Sequence, residues 1–581
     1  MRSRLRFAVT LFAIAPVCAI APVCTVAPIA ISHPEIDSLT TGQIDNLVLL
    51  GKVWGFAKYH HPSITAGDVN WDEDLLRIVP AVLRAHGRAA AMITISNWLA
   101  RLDPPAACSP CARMPDDPNL RPNLDWIRDE RTLGHALSTQ LQRIYNNRRV
   151  QDTQRYVSFA PEVGNAVFTN EEDYAENGFP DASLRLLALY RFWNIVEYWS
   201  PYRDLIGEDW DNVLREFVPW LWTSASPDTY RLSMMALIAR LHDGHANLSS
   251  SLGVRPPRGL YGLPVKVRFV EGRAVVTGFS RLPSAYGTGL EVGDVISSID
   301  GVRVDSLVTA WAAFYGASNQ SARLRDMARA LTQGPPGLVR VTVERDGSSL
   351  NLRLVRVLLD SLDRTAGITH DLPGETFQQL TQDVAYLKLS SVSAAQADEY
   401  IQKAIGSKVL VIDIRNYPHA FMVFSLGGHF VSQPTEFARF TFSSAENPGA
   451  FTWTQPVSLS PAPPFYGGSV VILVDETSQS QAEYTALAFR SAPHALVVGS
   501  TTAGADGNIS QVVLPGGLRT VISGIGVFYP DRRPTQQVGI VPDLVVRPTI
   551  AGIRQGRDEV LEAAVSRALG RPFRLPRRLL P

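Results

Sequence analysis

Cysteine, net charge and long apolar runs are all scarce in this chain, and each scarcity excludes something. Only four cysteines occur in 581 residues, Cys18, Cys24, Cys108 and Cys111. The last two form a single CxxC, and without a second pair that is a poor zinc ligand set. No thioredoxin-like strand and helix surround it. In an exported chain a local disulfide tying a loop is expected, with free thiols as the alternative. Lysine plus arginine number 55 and aspartate plus glutamate 55, a formal net charge of +0. That balance gives no argument for nucleic acid or an anionic membrane as partner. Apolar runs are confined to the start. Arg2, Arg4 and Arg6 precede an uncharged run from Phe7 to Ser32, and no later segment resembles a spanning helix. Basic residues followed by an apolar, small-residue stretch read as a secretory signal. Pro16, Pro22 and Pro28 disfavour one continuous helix, and cleavage is expected near Ala19. The alternative is an uncleaved membrane anchor, for which the run is long enough. Either way the rest works outside the cytoplasm, in the periplasm or extracellular space.

What the chain does have is a duplication. LLGKVWGFAKYHHP…NWDEDLLRIVP matches LLALYRFWNIVEYWSP…DWDNVLREFVP. Trp54 pairs with Trp193, Tyr59 with Tyr198, Trp71 with Trp210 and Pro80 with Pro219, always 139 positions apart. Apolar residues recur at helical spacing in both copies, so the aromatic stripe reads as packing between helices. The same register pairs LARL at Leu99–Leu102 with IARL at Ile238–Leu241, and there the copies part. The first runs on as DPPAACSPC, the second as His242-Asp243-Gly244-His245-Ala246-Asn247. A role shared by the helices would appear in both copies, so HDGHAN points to function. His60-His61 raises the thought of a metal hydrolase, but no HExxH or carboxylate-rich set accompanies it. In register His60 matches Trp199, which points to packing. No metal and no cofactor is expected.

From Val254 to Val357 the texture is strands and turns. Tyr261-Gly262-Leu263-Pro264-Val265 followed by GLEVGDVISSIDGVRV resembles a PDZ domain. That resemblance implies that Tyr261, Gly262 and Leu263 receive a peptide's C-terminal carboxylate while the peptide adds a strand. An ordinary pair of β-turns is the plainer reading. From Asp383 onward strands and helices alternate, as in VAYLKLS, SAAQADEYIQKAI, KVLVIDIR, VVILVDE and ALVVGS. This argues a parallel βαβ-type sheet, whose working groups lie past the C-terminal strand ends. The candidates there are Asn416–Ala420, Ser478–Glu483 and Thr501–Asn508.

The order PDZ, VLVIDIRNYP, VDETSQSQAE, VVGSTTAG and VGIVPD is similar to the C-terminal processing (tail-specific) serine peptidases and their tricorn-core relatives. The resemblance covers Leu237 to Leu569. It implies a crotonase-like peptidase fold, polypeptide substrates bound through their C-termini, and a nucleophile three residues before Glu483. That residue is Ser480, with Ser478 left as a helix cap. It also implies an oxyanion hole from the N–H of Gln481 and a backbone N–H in the loop around Tyr417, where Asn416-Tyr417-Pro418-His419 replaces a glycine-rich pattern. Ser–Lys members carry their lysine 25 residues after the serine. Here that is Ala505, and no lysine follows Lys408. The tricorn-like branch uses instead a histidine ahead of its PDZ domain, which matches His245. Its helper serine and glutamate fall on Gly244 and Gln536, so Asp243, Asp506 and Glu483 stay open as the acid. Asp506 in ADGN also reads as a turn residue, and Glu483 as an ordinary N-terminal helix charge. Arg415 reads as a salt-bridge partner, with a substrate carboxylate as the alternative.

At this length three or more domains are expected. The reading is a multidomain α+β and α/β protein. Residues 1–31 are a signal peptide, 32–179 the first helical repeat with a connecting segment, and 180–253 the second repeat ending in HDGHAN. Residues 254–357 are PDZ-like and 358–581 a serine peptidase domain. The functional expectation is an exported serine endopeptidase with Ser480, His245, Glu483 and Asp506 in its catalytic set. The alternative is a catalytically inactive peptide-binding protein of the same fold.

Overall fold

The duplicated segments fold as paired helices. In this computed structural model, which describes residues 38–176, 178–280, 289–362 and 369–576, helices Thr41–His60 and Trp71–Arg84 form one pair. Ala182–Trp199 and Trp210–Trp222 form the other. Each pair is clasped by reciprocal indole bonds. Trp54 Nε1 donates to the Trp71 carbonyl (3.2 Å) and Trp71 Nε1 to the Trp54 carbonyl (2.9 Å). Trp193 and Trp210 repeat the exchange at 2.7 and 3.1 Å. The copies then meet at matched positions. A Cβ on Gly51 would reach the Tyr190 ring at 2.6 Å, a Cβ on Gly55 would overlap Asn194, and the rings of Tyr59 and Tyr198 lie 5.7 Å apart. Matched contacts every fourth residue place the two long helices side by side and parallel, about a local pseudo-twofold axis. The signal-like residues 1–31, including Cys18 and Cys24, lie outside the described residues. Among those described, no helix is long and apolar enough to cross a membrane. Cys108 and Cys111 form a disulfide.

The middle of the chain forms a seven-stranded antiparallel sheet. Its edge strand, Val265–Val270, pairs on one side only, with Arg273–Phe279. Helix Gln320–Ala330 packs against that edge strand. Tyr261–Gly262 lies in a strand paired with Val357–Leu358, and the Leu263 N–H donates to Thr332 Oγ1 (3.3 Å). The stretch expected to be an open carboxylate loop is therefore partly spent on the sheet.

The C-terminal third is built on a six-stranded sheet in the order Phe377–Thr381, Val384–Lys388, Val409–Asp413, Ser469–Val474, Leu496–Gly499, Leu544–Val545. All pairs but the first are parallel. Val384–Lys388 and Val409–Asp413 are buried along their whole length, as strands covered on both faces must be. Helices Ala397–Ala404 and Gln481–Phe489 cover one face and Glu559–Leu569 the other. The expected alternation of strand and helix is thus present, and the loops after Asp413, Val474 and Gly499 become neighbours at one sheet end. Beside them stands a hairpin, Ile509–Leu514 with Leu518–Ser523. The N-terminal region holds it firmly: Arg191 donates to the Val513 carbonyl (2.9 Å), Tyr230 to that of Pro515 (2.7 Å) and Asn165 to that of Ile509 (3.0 Å).

Candidate active site

The turn that leaves strand Ser469–Val474 is wound around one carboxylate. Asp475 Oδ1 accepts from the Thr477 N–H (2.9 Å) and hydroxyl (2.6 Å). Its Oδ2 meets His370 Nδ1 (2.6 Å) and Arg268 (3.1 Å). Burial alone would raise this carboxyl, but His370 and Arg268 hold it well below the usual range. His370, Asp475 and Glu476 bring potential ligand atoms within 4.8 Å of one another, yet Arg268 also pairs with Glu476 at 2.6 Å. The guanidinium is the cation of this cluster. Ser478 is not the helix cap. Its buried hydroxyl donates to the Ile414 carbonyl (2.6 Å) and pins the turn to the neighbouring strand end.

Ser480 stands at the N-cap position of helix Gln481–Phe489 with φ 59° and ψ −122°. A non-glycine residue at such φ costs about 1–3 kcal/mol and persists only where its surroundings enforce it. Here the Ser480 N–H is caught by the Ala505 carbonyl (2.8 Å) and Glu483 Oε2 (3.2 Å). The Gln481 N–H opens the helix, and the Gln481 side chain holds the loop after Asp413 through the Ala420 carbonyl (3.0 Å). In that loop Tyr417 is 57% exposed, whereas the His419 N–H is spent on the Leu389 carbonyl (2.9 Å).

The segment HDGHAN arrives from the end of helix Pro227–Ala239. Gln479 Nε2 donates to the Gly244 carbonyl (3.3 Å), so the turn abuts the residue before Ser480. A Cβ on Gly244 would lie 3.0 Å from Ala505 Cβ and 3.3 Å from Ser318 Oγ. Residue 505, where the Ser–Lys pattern has its lysine, is thus filled by a small side chain against the turn that carries His245. The His245 side chain is 9% exposed. Its Nδ1 lies 3.0 Å from Ser523 Oγ and its Nε2 is buried with no partner among the described residues. Burial lowers the imidazole below its ordinary value, and Asp243 offsets part of that shift. No hydrogen bond joins Ser480 to His245 among the described residues. Apo sites often show such contacts long, and they tighten with substrate.

Residues 383–546 match the model of peptidase family S41. The chain carries a family S41 peptidase domain. The matched stretch takes in Ser480 and Ser523 and leaves Asp243 and His245 outside. Putative tricorn protease homolog 2 of Streptomyces coelicolor is 25% identical over 392 residues, 64% of this chain and 31% of the relative. The chain therefore spans about a third of that curated relative's length. Among solved structures, mature CPAF, alone and complexed with lactacystin, matches with a TM-score of 0.52 at 15% identity. Those matches cover 64% of this chain and 94% and 95% of theirs, a likeness of fold.

Of the residues singled out by sequence around Ser480, two are buried carboxylates. Glu483 is 1% exposed and accepts from Thr502 Oγ1 and from the N–H groups of Gly504 (2.8 Å), Ala505 (2.9 Å) and Ser480 (3.2 Å). It shapes the loop behind Ser480; burial raises its carboxyl, against these bonds. Asp506 is also buried, accepts from the Gly507 N–H (2.7 Å), and leaves Oδ2 without a partner among the described residues. Burial, then Glu483, push its carboxyl well above the ordinary carboxylate range. Neither carboxylate has a hydrogen bond to His245 among the described residues. Gln536 reaches Ser318 Oγ (3.5 Å), which in turn accepts from the Gly244 N–H (2.7 Å). Arg415 closes salt bridges with Asp413 (2.6 Å) and Asp558 (2.7 Å). Sequence reasoning missed Ser523, a serine ending an unremarked strand with no local motif.

Proposed function

We propose that this chain is a serine endopeptidase acting on extended polypeptides, with Ser480 as nucleophile and His245 as its base. His245 Nε2 takes the Ser480 proton as Oγ bonds to the scissile carbonyl carbon. The resulting oxyanion lies at the helix mouth, facing the Gln481 N–H, with a second donor from the Tyr417 loop. The imidazolium then protonates the departing amine, and water repeats the sequence on the acyl-enzyme. The observation that supports the reading is a serine held at φ 59° beside the turn of an imidazole whose buried Nε2 has no partner among the described residues.

The substrate tail is assigned to the groove between edge strand Val265–Val270 and helix Gln320–Ala330. A cleft of about 840 Å³ runs there, lined by Val265, Val267, Ala328 and Thr332 among others. An edge strand with one free side is suited to accept a peptide strand, which is how a PDZ domain works. Export follows from the N-terminal Arg-led apolar segment. Replacing Ser480 by Ala is expected to abolish peptide hydrolysis and fluorophosphonate labelling and to leave the melting temperature within a few degrees. Undiminished hydrolysis in that variant overturns the assignment. A second reading, a tail-binding protein without turnover, is favoured by one observation: Ser480 does not line the large cleft. Tight peptide binding with no labelling of the native chain selects it.

A further inference from the structure

A base that works through Nε2 must carry its own proton on Nδ1, and something must hold it there. Asp243 is the nearest carboxylate, but its Oδ1 is 3.7 Å from His245 Nδ1, too far for a hydrogen bond. Between them sits Ser523. Its Oγ lies 3.0 Å from His245 Nδ1 and 3.0 Å from Asp243 Oδ1. We propose that Ser523 is a positioning residue that relays Asp243 to His245 and so fixes the tautomer of the base. The inference rests on the reading of Ser480 and His245 given above.

The proton count allows one arrangement. Asp243 as a carboxylate can only accept, and it accepts three times: from the His245 N–H (2.9 Å), the Ser523 N–H (2.7 Å) and the Ser523 hydroxyl. A serine hydroxyl has one proton. Spent on Asp243, it leaves the Ser523 oxygen as acceptor, so the proton between Ser523 and His245 belongs to Nδ1. Nε2 is then the lone pair, and Nε2 is the buried atom without a partner. When Ser480 gives up its proton, both ring nitrogens carry hydrogen, and the new positive charge faces Asp243 across one hydroxyl. No proton needs to leave Ser523 at any step.

Ser523 meets the turn through its backbone N–H and through its hydroxyl, and only the hydroxyl is expendable. Its backbone N–H to Asp243 Oδ2 docks the turn on the hairpin and survives truncation of the side chain. The hydroxyl joins Asp243 Oδ1 to the imidazole and is lost with the side chain. Helices Ala182–Trp199 and Pro227–Ala239 hold the hairpin through Arg191 and Tyr230, so the relay's reach is set by the N-terminal region. The charged groups facing His245 are Asp243 on its own turn and Arg325 on the helix beside it. Asp243 raises the imidazole and Arg325 lowers it.

The test uses the full chain and two independent readouts. In S523A, kcat on a peptide substrate is expected to fall about tenfold to a hundredfold with KM within about twofold, and S523T to recover most of it. D243N is expected to lose about 10⁴-fold, because an amide can donate to Ser523, turn its hydroxyl toward the ring and favour the wrong tautomer. Removing the Asp243 charge also moves the acid limb of kcat/KM to lower pH. Separately, ¹⁵N NMR of His245 in S480A should show hydrogen on Nδ1, and adding S523A should mix the tautomers. Unchanged kcat in a folded S523A, or hydrogen on Nε2 in S480A, overturns the relay. Should the native chain prove inert toward peptides, the peptidase reading fails while the tautomer measurement still decides the relay.

Discussion

The two copies of the helical repeat share a frame and differ in what they carry. Both close with the same reciprocal tryptophan clasp, and both send a basic residue across the pseudo-twofold axis to the partner copy's aspartate. Arg191 pairs with Asp72 at 2.7 Å and Lys52 with Asp211 at 2.6 Å, matched residues in matched roles. The first of these pairs is buried, with Lys58 and Glu171 completing a four-charge cluster, whereas Asp211 is 43% exposed. Beyond the last helix the second copy delivers His245. The first delivers Ala106 at the same register position, two residues before its disulfide. The scaffold was repeated and the histidine turn was not.

The largest break in that comparison is at its chemical end. His245→Ala is expected to lower kcat/KM for peptide hydrolysis by at least about 10³-fold, the range of a lost general base. Ala106→His, the matched change in the other copy, should leave it unchanged. A gain in A106H, or full activity in H245A, removes the distinction.

The cross-axis pairs come next. Arg191→Ala leaves Asp72 and Glu171 buried against a single lysine, and breaking a buried pair in this way costs about 3–5 kcal/mol. Lys52→Ala opens a half-exposed pair worth about 1 kcal/mol or less. Urea unfolding of the two variants measures the asymmetry, and equal losses would show the cluster to be no more than two surface bridges. Arg191 also holds the hairpin that bears Ser523, so R191A should lose activity before it unfolds.

Acid sharpens a subtler difference. His60 is stacked on Phe56 with ring centres 4.4 Å apart, donates from Nδ1 to the Phe56 carbonyl, and is held by burial at about 3. The second copy has Trp199 there, which does not titrate. Below the ordinary histidine range the unfolded chain binds a proton that folded His60 refuses. Stability therefore falls as pH drops from about 6.5 toward 3, by about 1.4 kcal/mol per pH unit. His61, lowered to about 4 by burial, adds to this. In His60→Asn the slope of unfolding free energy against pH should shrink by that amount between pH 6 and 4; an unchanged slope would mean the imidazole is protonated in the fold.

Sequence carried the scaffold further than the site. Buried strands such as VLVID and VVILV are legible because a parallel sheet covered on both faces needs unbroken apolar runs. The repeat is legible because its register has no gaps. Ser480 and His245 stand out as motif residues, and Asp243 stands next to one of them. Ser523 does not stand out, because a relay asks only for a hydroxyl at the right place, 278 residues from its partner. Glu483 and Asp506 looked catalytic because proximity along the chain gives no side-chain direction. Folded, one accepts from backbone amides and the other is buried, with its carboxyl pushed up by burial and by Glu483. Tyr261 and Leu263 looked open for the same reason, and sheet pairing and Thr332 engage them.

The hairpin clamped to the N-terminal helices has a consequence for when the proposed centre can form. Imidazole, alcohol and relay hydroxyl come from three distant stretches that meet only after the last of them has been made and docked. In a half-synthesised chain the centre proposed above has therefore not yet been assembled. The order of the chain thus sets the earliest moment at which that centre can exist.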